Sequence, residues 1–332
     1  MMQTAHYCTY FDERYLTRGL ALHASMRRHC APFRLWVLCM SDECHRQLSL
    51  LNLPEIVPLK LGDLETHFPA LLVAKSDRSL LEYYFTCTPA LLAWLFDTQP
   101  AIDILIYLDS DLYFFSRPDF LFEEFADFSV SIVPHRFSPR NAHHVRWGIY
   151  NVGWVGFRRD AEGMRCLAWW RDRCLEWCRD IEEPDRFADQ KYLDAFPKLF
   201  AGVQVIQHPG VNLAPWNLDH SPLSKSASGE IEVDGKPIVF FHFHRLRRVT
   251  GYLWQTPHIE FGAPLDGMVR RSLYAPYFAD LTGAEKLIDI TPNISVLRRD
   301  NLRIGSLAGK LRSIAAVIWR GGGVWTFAGR VV

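Results

Sequence analysis

ILIYLDSDLYFF, residues 104–115, is the stretch from which the rest of the chain is read. ILIYL is an unbroken apolar run of the kind that a strand buried on both faces of a parallel sheet requires. Asp109 and Asp111 close it. Because the side chains of a strand alternate with period two, carboxylates at i and i+2 point the same way. Two oxygen ligands on one side suit a hard divalent cation that also bridges a diphosphate. The carboxyl end of a strand is where open α/β sheets place their ligands. An Asp-x-Asp triplet alone is weak, since about one copy per chain of this size arises by chance at ordinary Asp usage. An Asp here also reads as a turn former or helix cap. This chain holds one such triplet, and it follows the apolar strand.

Working outward, strand and helix signals alternate on both sides. TAHYCTY (4–10) reads as a first strand, and Asp12 starts a helical pattern that runs to about Arg28. FRLWVLCM (33–40) and IVPLKL (56–61) read as two further strands. Asp77 can cap a helix carrying Leu80, Leu81, Tyr84 and Phe85, kinked or restarted by Pro89 before LLAWLF. Past the central run, FSVSIVP (128–134) and IYNVGWVGF (149–157) read as strands. A helix over 161–179 puts Leu167, Trp170, Cys174 and Cys178 on one side. The alternation predicts an α/β sheet of Rossmann-like character. The second half is less regular: VQVIQHP (203–209), a surface loop or small hairpin insert at SPLSKSASGE (221–230), then KPIVFFHFH (236–244).

Composition bounds the function. The chain has 332 residues, 49% apolar and 22% charged, as in an ordinary soluble globular enzyme. Net charge is zero, but 298–332 carries seven basic residues and one acid, so the body is acidic. An acidic body argues against nucleic acid as the main partner. The eight cysteines show no C-x-x-C pair and no zinc spacing, which suits reduced thiols in a cytoplasmic protein. No leader pattern opens the chain, and no apolar run approaches the roughly 20 residues of a membrane span.

Several further stretches, taken in order, resemble glycosyltransferase family 8 and its relatives with the GT-A fold, over roughly 4–245. TYFDERY (9–15) resembles their first-strand segment, which implies nucleotide contacts from Thr9, Tyr10, Asp12 and Tyr15. Arg78 stands before the Asp-x-Asp strand, where such enzymes carry a basic residue that reaches the donor. YNVGWVGF (150–157) resembles their F-N-A-G-V strand, putting Asn151 at the donor sugar. FADQKYLD (187–194) resembles their Asp-Gln motif, putting Asp189 and Gln190 near the anomeric centre. VFFHFHRL (239–246) supplies the late histidine that completes the metal site with Asp109 and Asp111. The family pattern favours His242, and His244 shares its strand face. Ser110 lies between the two acids. The family's Gly and Lys-Pro-Trp are replaced here by RLRRVTGYLW, so Arg245, Arg247 or Arg248 takes over from the phosphate-binding lysine. Read singly, Asn151 is also a turn former, Asp189 a helix cap and a strand histidine a core residue.

The resemblance implies a GT-A domain over 1–297, with a nucleotide-binding half (1–160) and an acceptor and metal-histidine half (161–297). It also implies Mn²⁺ or Mg²⁺, a nucleotide-sugar donor of the UDP-hexose kind, a glycan or glycolipid acceptor, and retention of configuration. The rival readings are a sugar-nucleotide-binding module without catalysis and an Asp-x-Asp phosphohydrolase. Trp216, after Pro215, reads as an acceptor platform or as a packed loop residue. Ile304, Leu307, Leu311, Ile314 and Ile318 recur at helical spacing within the basic 298–332 segment, beside Trp319 and Trp325. That pattern reads as a peripheral contact of 300–332 with the inner membrane face, or as a helix packed on the domain.

Overall fold

The computed structural model describes residues 4–294, 314–315, 322–327 and 330–331. Its centre is a seven-stranded mixed sheet. The strands are β1 (Ala5–Phe11), β2 (Phe33–Cys39), β3 (Ile56–Lys60), β4 (Ile104–Leu108), β6 (Val130–Pro134), β7 (Tyr150–Arg158) and β8 (Val203–Val205), in the order β3-β2-β1-β4-β7-β6-β8. β1 to β4 are mutually parallel, and β7 runs antiparallel to both β4 and β6. The sheet is of the α/β class expected. β5 (Leu112–Phe114) leaves it to pair with the late strand Phe240–His242.

The alternation within ILIYL shows why this run must be apolar throughout. Leu105 and Tyr107 pack on one face with helices α5 (Leu80–Thr98) and α7 (Ala161–Glu176). Ile106 and Leu108 pack on the other with α1 (Leu16–His29) and α2 (Asp42–Leu51). All four side chains are buried, each contributing about 1.5–3 kcal/mol of hydrophobic stabilisation. The helix Ala275–Ile290 lies against α1 and closes a third apolar cluster with Phe241 and Phe243.

Three expectations change locally. α1 begins at Leu16, because Asp12 is drawn into a tight turn in which its carbonyl accepts from the Tyr15 amide. α5 is capped by Ser79, whose hydroxyl and Glu82 form a reciprocal capping box, while Asp77 ends the preceding helix α4 (Ala70–Asp77). Pro89 neither breaks nor restarts α5, which runs through it with both its faces packed in the core. The insert at 221–230 is a hairpin of Leu223–Lys225 and Ile231–Val233, extended by Lys236–Pro237. All eight cysteines are free and buried. The amphipathic pattern from Ile304 to Ile318 lies outside the described residues, apart from 314–315. No helix among the described residues is long and apolar enough to cross a membrane.

Candidate active site

β1 and β4 are neighbours in the sheet although three helical connections separate them in sequence, so their carboxyl ends flank the point where the strand order reverses. Ligand crevices form there, because the loops leave toward opposite faces. A cleft of about 1020 Å³ opens at this place and is lined by Asp12 and Tyr15 after β1 and by Asp109, Ser110 and Asp111 after β4.

The turn after β4 sets the two acids. The Asp109 amide donates to the Gly153 carbonyl at 3.3 Å, and the Leu112 amide donates back to the Asp109 carbonyl at 3.2 Å. The Tyr107 hydroxyl donates to Asp109 Oδ1 at 3.0 Å. β5 then pairs with the late strand so that His242 stands opposite Leu112. The Phe243 amide donates to the Asp111 carbonyl at 2.9 Å. His242 Nε2 therefore reaches Asp111 Oδ1 at 3.0 Å and Asp109 Oδ2 at 3.6 Å. One ligand atom from each of the three lies within 4.8 Å of the others. His244 also lines the cleft but stands outside this cluster.

The charges are interdependent. Burial raises the Asp109 carboxyl, and Asp111 beside it adds to the rise against the pull of His242. Burial also pushes Asp111 up, but the charge and hydrogen bond of His242 outweigh it and hold Asp111 below its ordinary value. Burial disfavours the imidazolium of His242, yet the two carboxylates hold its pKa above the usual histidine value. Burial, with His242 nearby, pushes His244 down to about 3. Two carboxylates and an imidazole gathered in a cleft fit a hard divalent cation of the Mn²⁺ or Mg²⁺ kind.

Beside this cluster, Asn151 at the start of β7 donates to Gln190 Oε1 at 3.1 Å and accepts from the Gly153 amide at 3.0 Å. Gln190 Nε2 donates to the Trp147 carbonyl at 3.1 Å. Asp189 is buried and accepts a hydrogen bond from the Thr88 hydroxyl at 2.8 Å. Ala188 before it holds a left-handed backbone, φ 47°, which a non-glycine residue adopts only at some cost and which turns Asp189 into the cleft. Burial lifts the Asp189 carboxyl to about 7, the Thr88 bond opposing and Asp109 adding.

That lift has a measurable consequence for stability. The folded protein holds the Asp189 proton at pH values where the unfolded chain, near its ordinary pKa of about 3.9, has lost it. The resulting penalty is absent below about pH 4, grows as pH rises and is complete above about pH 7. Asp189→Asn keeps an acceptor for Thr88 and removes the titration. It is expected to stabilise the protein at pH 8 by on the order of 2–4 kcal/mol, with the gain vanishing near pH 4. Melting temperatures across that range check it, and a gain independent of pH would contradict the assignment.

At the other end of the cleft, Asp12 Oδ1 accepts from the Arg14 amide at 3.0 Å, and the Tyr10 ring packs between Tyr84 and Tyr107, 6.0 and 5.7 Å away. Two residues expected at the donor are not in the cleft lining. Thr9 is wholly buried in β1, its side chain on the face of the sheet opposite to that of Tyr10. Arg78 ends α4, and its guanidinium donates to the Thr86 hydroxyl and to the Cys174 and Leu175 carbonyls, the last two both at 2.7 Å. It ties α4 to α7, a structural duty that the one-dimensional position of a basic residue does not reveal. Arg245 lines the rim but is paired with Glu260 at 2.9 Å, and Arg248 with Glu285 at 2.5 Å.

Trp216 is buried with its indole N–H donating to the His135 carbonyl at 3.0 Å, and its ring meets His242 and His244 edge-on at 5.1 and 5.3 Å. Its buried ring borders the cleft beside both histidines. The half-buried aromatic side chains on the Asn151 side are Phe137, Trp147 and Phe187, with Trp147 and Phe187 stacked at 6.2 Å. No motif in the sequence marked Phe137, Trp147 or Arg18, while Phe187 and Gly153 lie inside quoted motifs without being singled out.

No protein-family model matches the chain. Among solved structures it is similar to mouse xyloside xylosyltransferase 1 in its apo form, with 16% identity, a TM-score of 0.45, and coverage of 73% of this chain and 98% of that one. It is similar in the same degree to the galactosyltransferase LgtC in complex with donor and acceptor sugar analogs, with 15% identity, a TM-score of 0.45, and coverage of 72% and 90%. Among curated sequences, the uncharacterized protein YfnF of Bacillus subtilis (strain 168) is 32% identical over 254 residues, 74% of this chain and 83% of YfnF. YfnD of the same organism is 31% identical over 252 residues, 75% of this chain and 80% of YfnD. With that identity sustained over most of both lengths, the chain belongs to the protein family of YfnF and YfnD.

Proposed function

We propose that this protein is a GT-A glycosyltransferase that moves a hexosyl group from a UDP-sugar to a glycan or glycolipid acceptor, with retention of configuration. The observation that carries the reading is the convergence of Asp109, Asp111 and His242, from two segments far apart in sequence, at the floor of a cleft large enough for a nucleotide sugar. In this reading those three residues hold Mn²⁺ or Mg²⁺, which when bound neutralises charge on the departing diphosphate. Asp12, Tyr10 and Tyr15 hold the nucleotide, with Ser110 and Arg245 at the edges of the donor site. Asn151 and Gln190, joined by their own hydrogen bond, present amide groups to the sugar hydroxyls. Asp189, held by Thr88, stands beside the anomeric carbon, where positive charge builds in an oxocarbenium-like transition state. The proposal of retention rests on the resemblance to family 8, and an inverting route would use Asp189 as its base. Phe137, Trp147 and Phe187 offer apolar faces to an acceptor sugar ring. The domain is taken to span 1–297. The basic 298–332 segment would act in the cytoplasm as a peripheral contact with the inner membrane face.

The test is a panel of nucleotide sugars incubated with the purified protein and Mn²⁺, scored for release of free nucleoside diphosphate. Turnover of a UDP-hexose, abolished by chelation and restored by metal, is the expected result. Binding of UDP with metal but no turnover of any donor, even with acceptor glycans present, would replace the enzyme with a binding module.

A further inference from the structure

Arg18 is the arginine that the described residues bury most completely, 8% exposed, and it faces the same cleft as the two acids. A guanidinium does not lose its proton in a protein, so its charge is permanent and its burial needs an anion or a strong set of acceptors. Two contacts answer part of that need. Nη2 donates to the Leu246 carbonyl at 2.6 Å, and the guanidinium carbon lies 4.1 Å from the centre of the Tyr15 ring. Among the described residues no carboxylate lies within ion-pair distance of it. The contrast with the other basic residues of the cleft is sharp: Arg245 and Arg248 have glutamate partners, Arg14 pairs with Asp12, and Arg247 is exposed and solvated.

A second feature points to the same place. Arg18 sits in the first turn of α1, whose N-terminal residue Tyr15 provides no side-chain cap, and Tyr15, Leu16, Thr17 and Arg18 all line the cleft. The amides of Tyr15, Arg18 and Gly19 are bonded to carbonyls, so the amides of Leu16 and Thr17 and the positive end of the helix dipole meet the guanidinium at one wall of the cleft. The negative groups of the cleft stand nearby, since the charge of Arg18 is felt at Asp111. A cation at the metal cluster and a second, fixed cation across from it leave a site for a ligand with adjacent negative groups.

We infer that Arg18 binds the diphosphate of the nucleotide donor and stabilises it as the leaving group. The inference rests on the glycosyltransferase reading and assigns within it the task that the late arginines were expected to fill. Leu246 is then a positioning contact: its carbonyl orients the guanidinium fork, which couples the chain after His242 to α1. Because the charge comes from α1 and not from the chain after the late histidine, the leaving group is held between the first helix and the metal cluster.

The experiment measures UDP binding by calorimetry in the presence of Mn²⁺, and uridine binding by ligand-observed NMR, for the full chain and for Arg18→Met and Arg18→Lys. Arg18→Met is expected to weaken UDP binding about 30-fold or more, as loss of a charge-assisted pair does, with uridine affinity changed less than about threefold. Arg18→Lys should recover a large part of the UDP affinity, since it returns the charge without the fork. A merely structural role would weaken uridine and UDP equally and would not be rescued by lysine. That result, or unchanged UDP affinity in both variants, overturns the inference. Should Arg18→Met fail to fold, Arg18→Lys decides alone: a loss confined to UDP supports the assignment, and any other result refutes it. If the unaltered protein binds none of UDP, GDP, ADP and CDP with Mn²⁺, the donor reading itself falls and the role of Arg18 falls with it.

Discussion

Asp111→Ala is expected to lower sugar transfer by about a thousandfold or more and to weaken Mn²⁺ binding, while the protein still folds. Asp111 is the closer of the two acids to His242, at 3.0 Å, and the one that the histidine holds most firmly ionised. Removing it takes one of two oxygen ligands from a three-residue donor set, and the cation's contribution to leaving-group departure goes with it. Interactions realised at the departing charge are worth several kcal/mol each, which is why the loss falls on turnover and not on binding alone. Folding should survive because Asp111 is at the cleft surface and its backbone bond from Phe243 needs no side chain. The melting temperature should move little, since the acid also repels Asp109 across the cluster. Calorimetry with Mn²⁺ and a donor-hydrolysis assay check the two halves of this expectation. An Asp111→Ala protein that remains active without metal would sink the proposed function.

The second large effect is expected at a residue without a functional side chain. A Cβ on Gly153 would lie 2.5 Å from Asn151 Oδ1 and 3.1 Å from His242 Nδ1. Both neighbours are buried and ordered by packing, so neither yields without leaving its place. Gly153→Ala should therefore push the Asn151 side chain off its bond with the Gly153 amide and tilt the histidine away from the two acids. The cost to stability is about 1–3 kcal/mol, typical of overpacking a tight site. The cost to transfer is expected to be about a hundredfold, since displacements of an ångström at a reacting centre carry that penalty. The diagnostic is a matched drop in Mn²⁺ affinity and turnover with the far-ultraviolet dichroism unchanged. A variant that binds metal normally would show that β7 does not position His242.

The two residues illustrate which parts of the site a sequence exposes. Asp109 and Asp111 were legible because the information is local: an apolar run of strand length ends in two acids on one side, and strand periodicity does the rest. Asn151, Asp189 and Gln190 were legible by resemblance, and the fold brings all three into the cleft lining. Gly153 carries its reason partly on its own strand, in the side chain of Asn151, and partly on a distant one, in the ring of His242, and a glycine in a strand says nothing about what approaches it. No local pattern distinguishes Arg18 within its helix, because its burial comes from Leu246 and Tyr15 closing over it. Arg78 misled for the converse reason. A basic residue before the central strand has the right type and order, but the carbonyls at the end of α7 claim its guanidinium first.

What the sequence by itself determined is the local grammar: an α/β sheet, the strand that must be buried on both faces, and the acids at its carboxyl end. Those follow from periodicities of two and 3.6, which act over a few residues. Only the tertiary structure decided that His242, and not His244, meets the acids, that Arg78 and Thr9 stand outside the cleft, and that Arg18 stands in it without a counter-charge. These depend on the antiparallel pairing of Phe240–His242 with Leu112–Phe114 and on the packing of α1 beside it. Contacts between segments so distant along the chain are set by burial and register, and neither is written in the residues on one side alone.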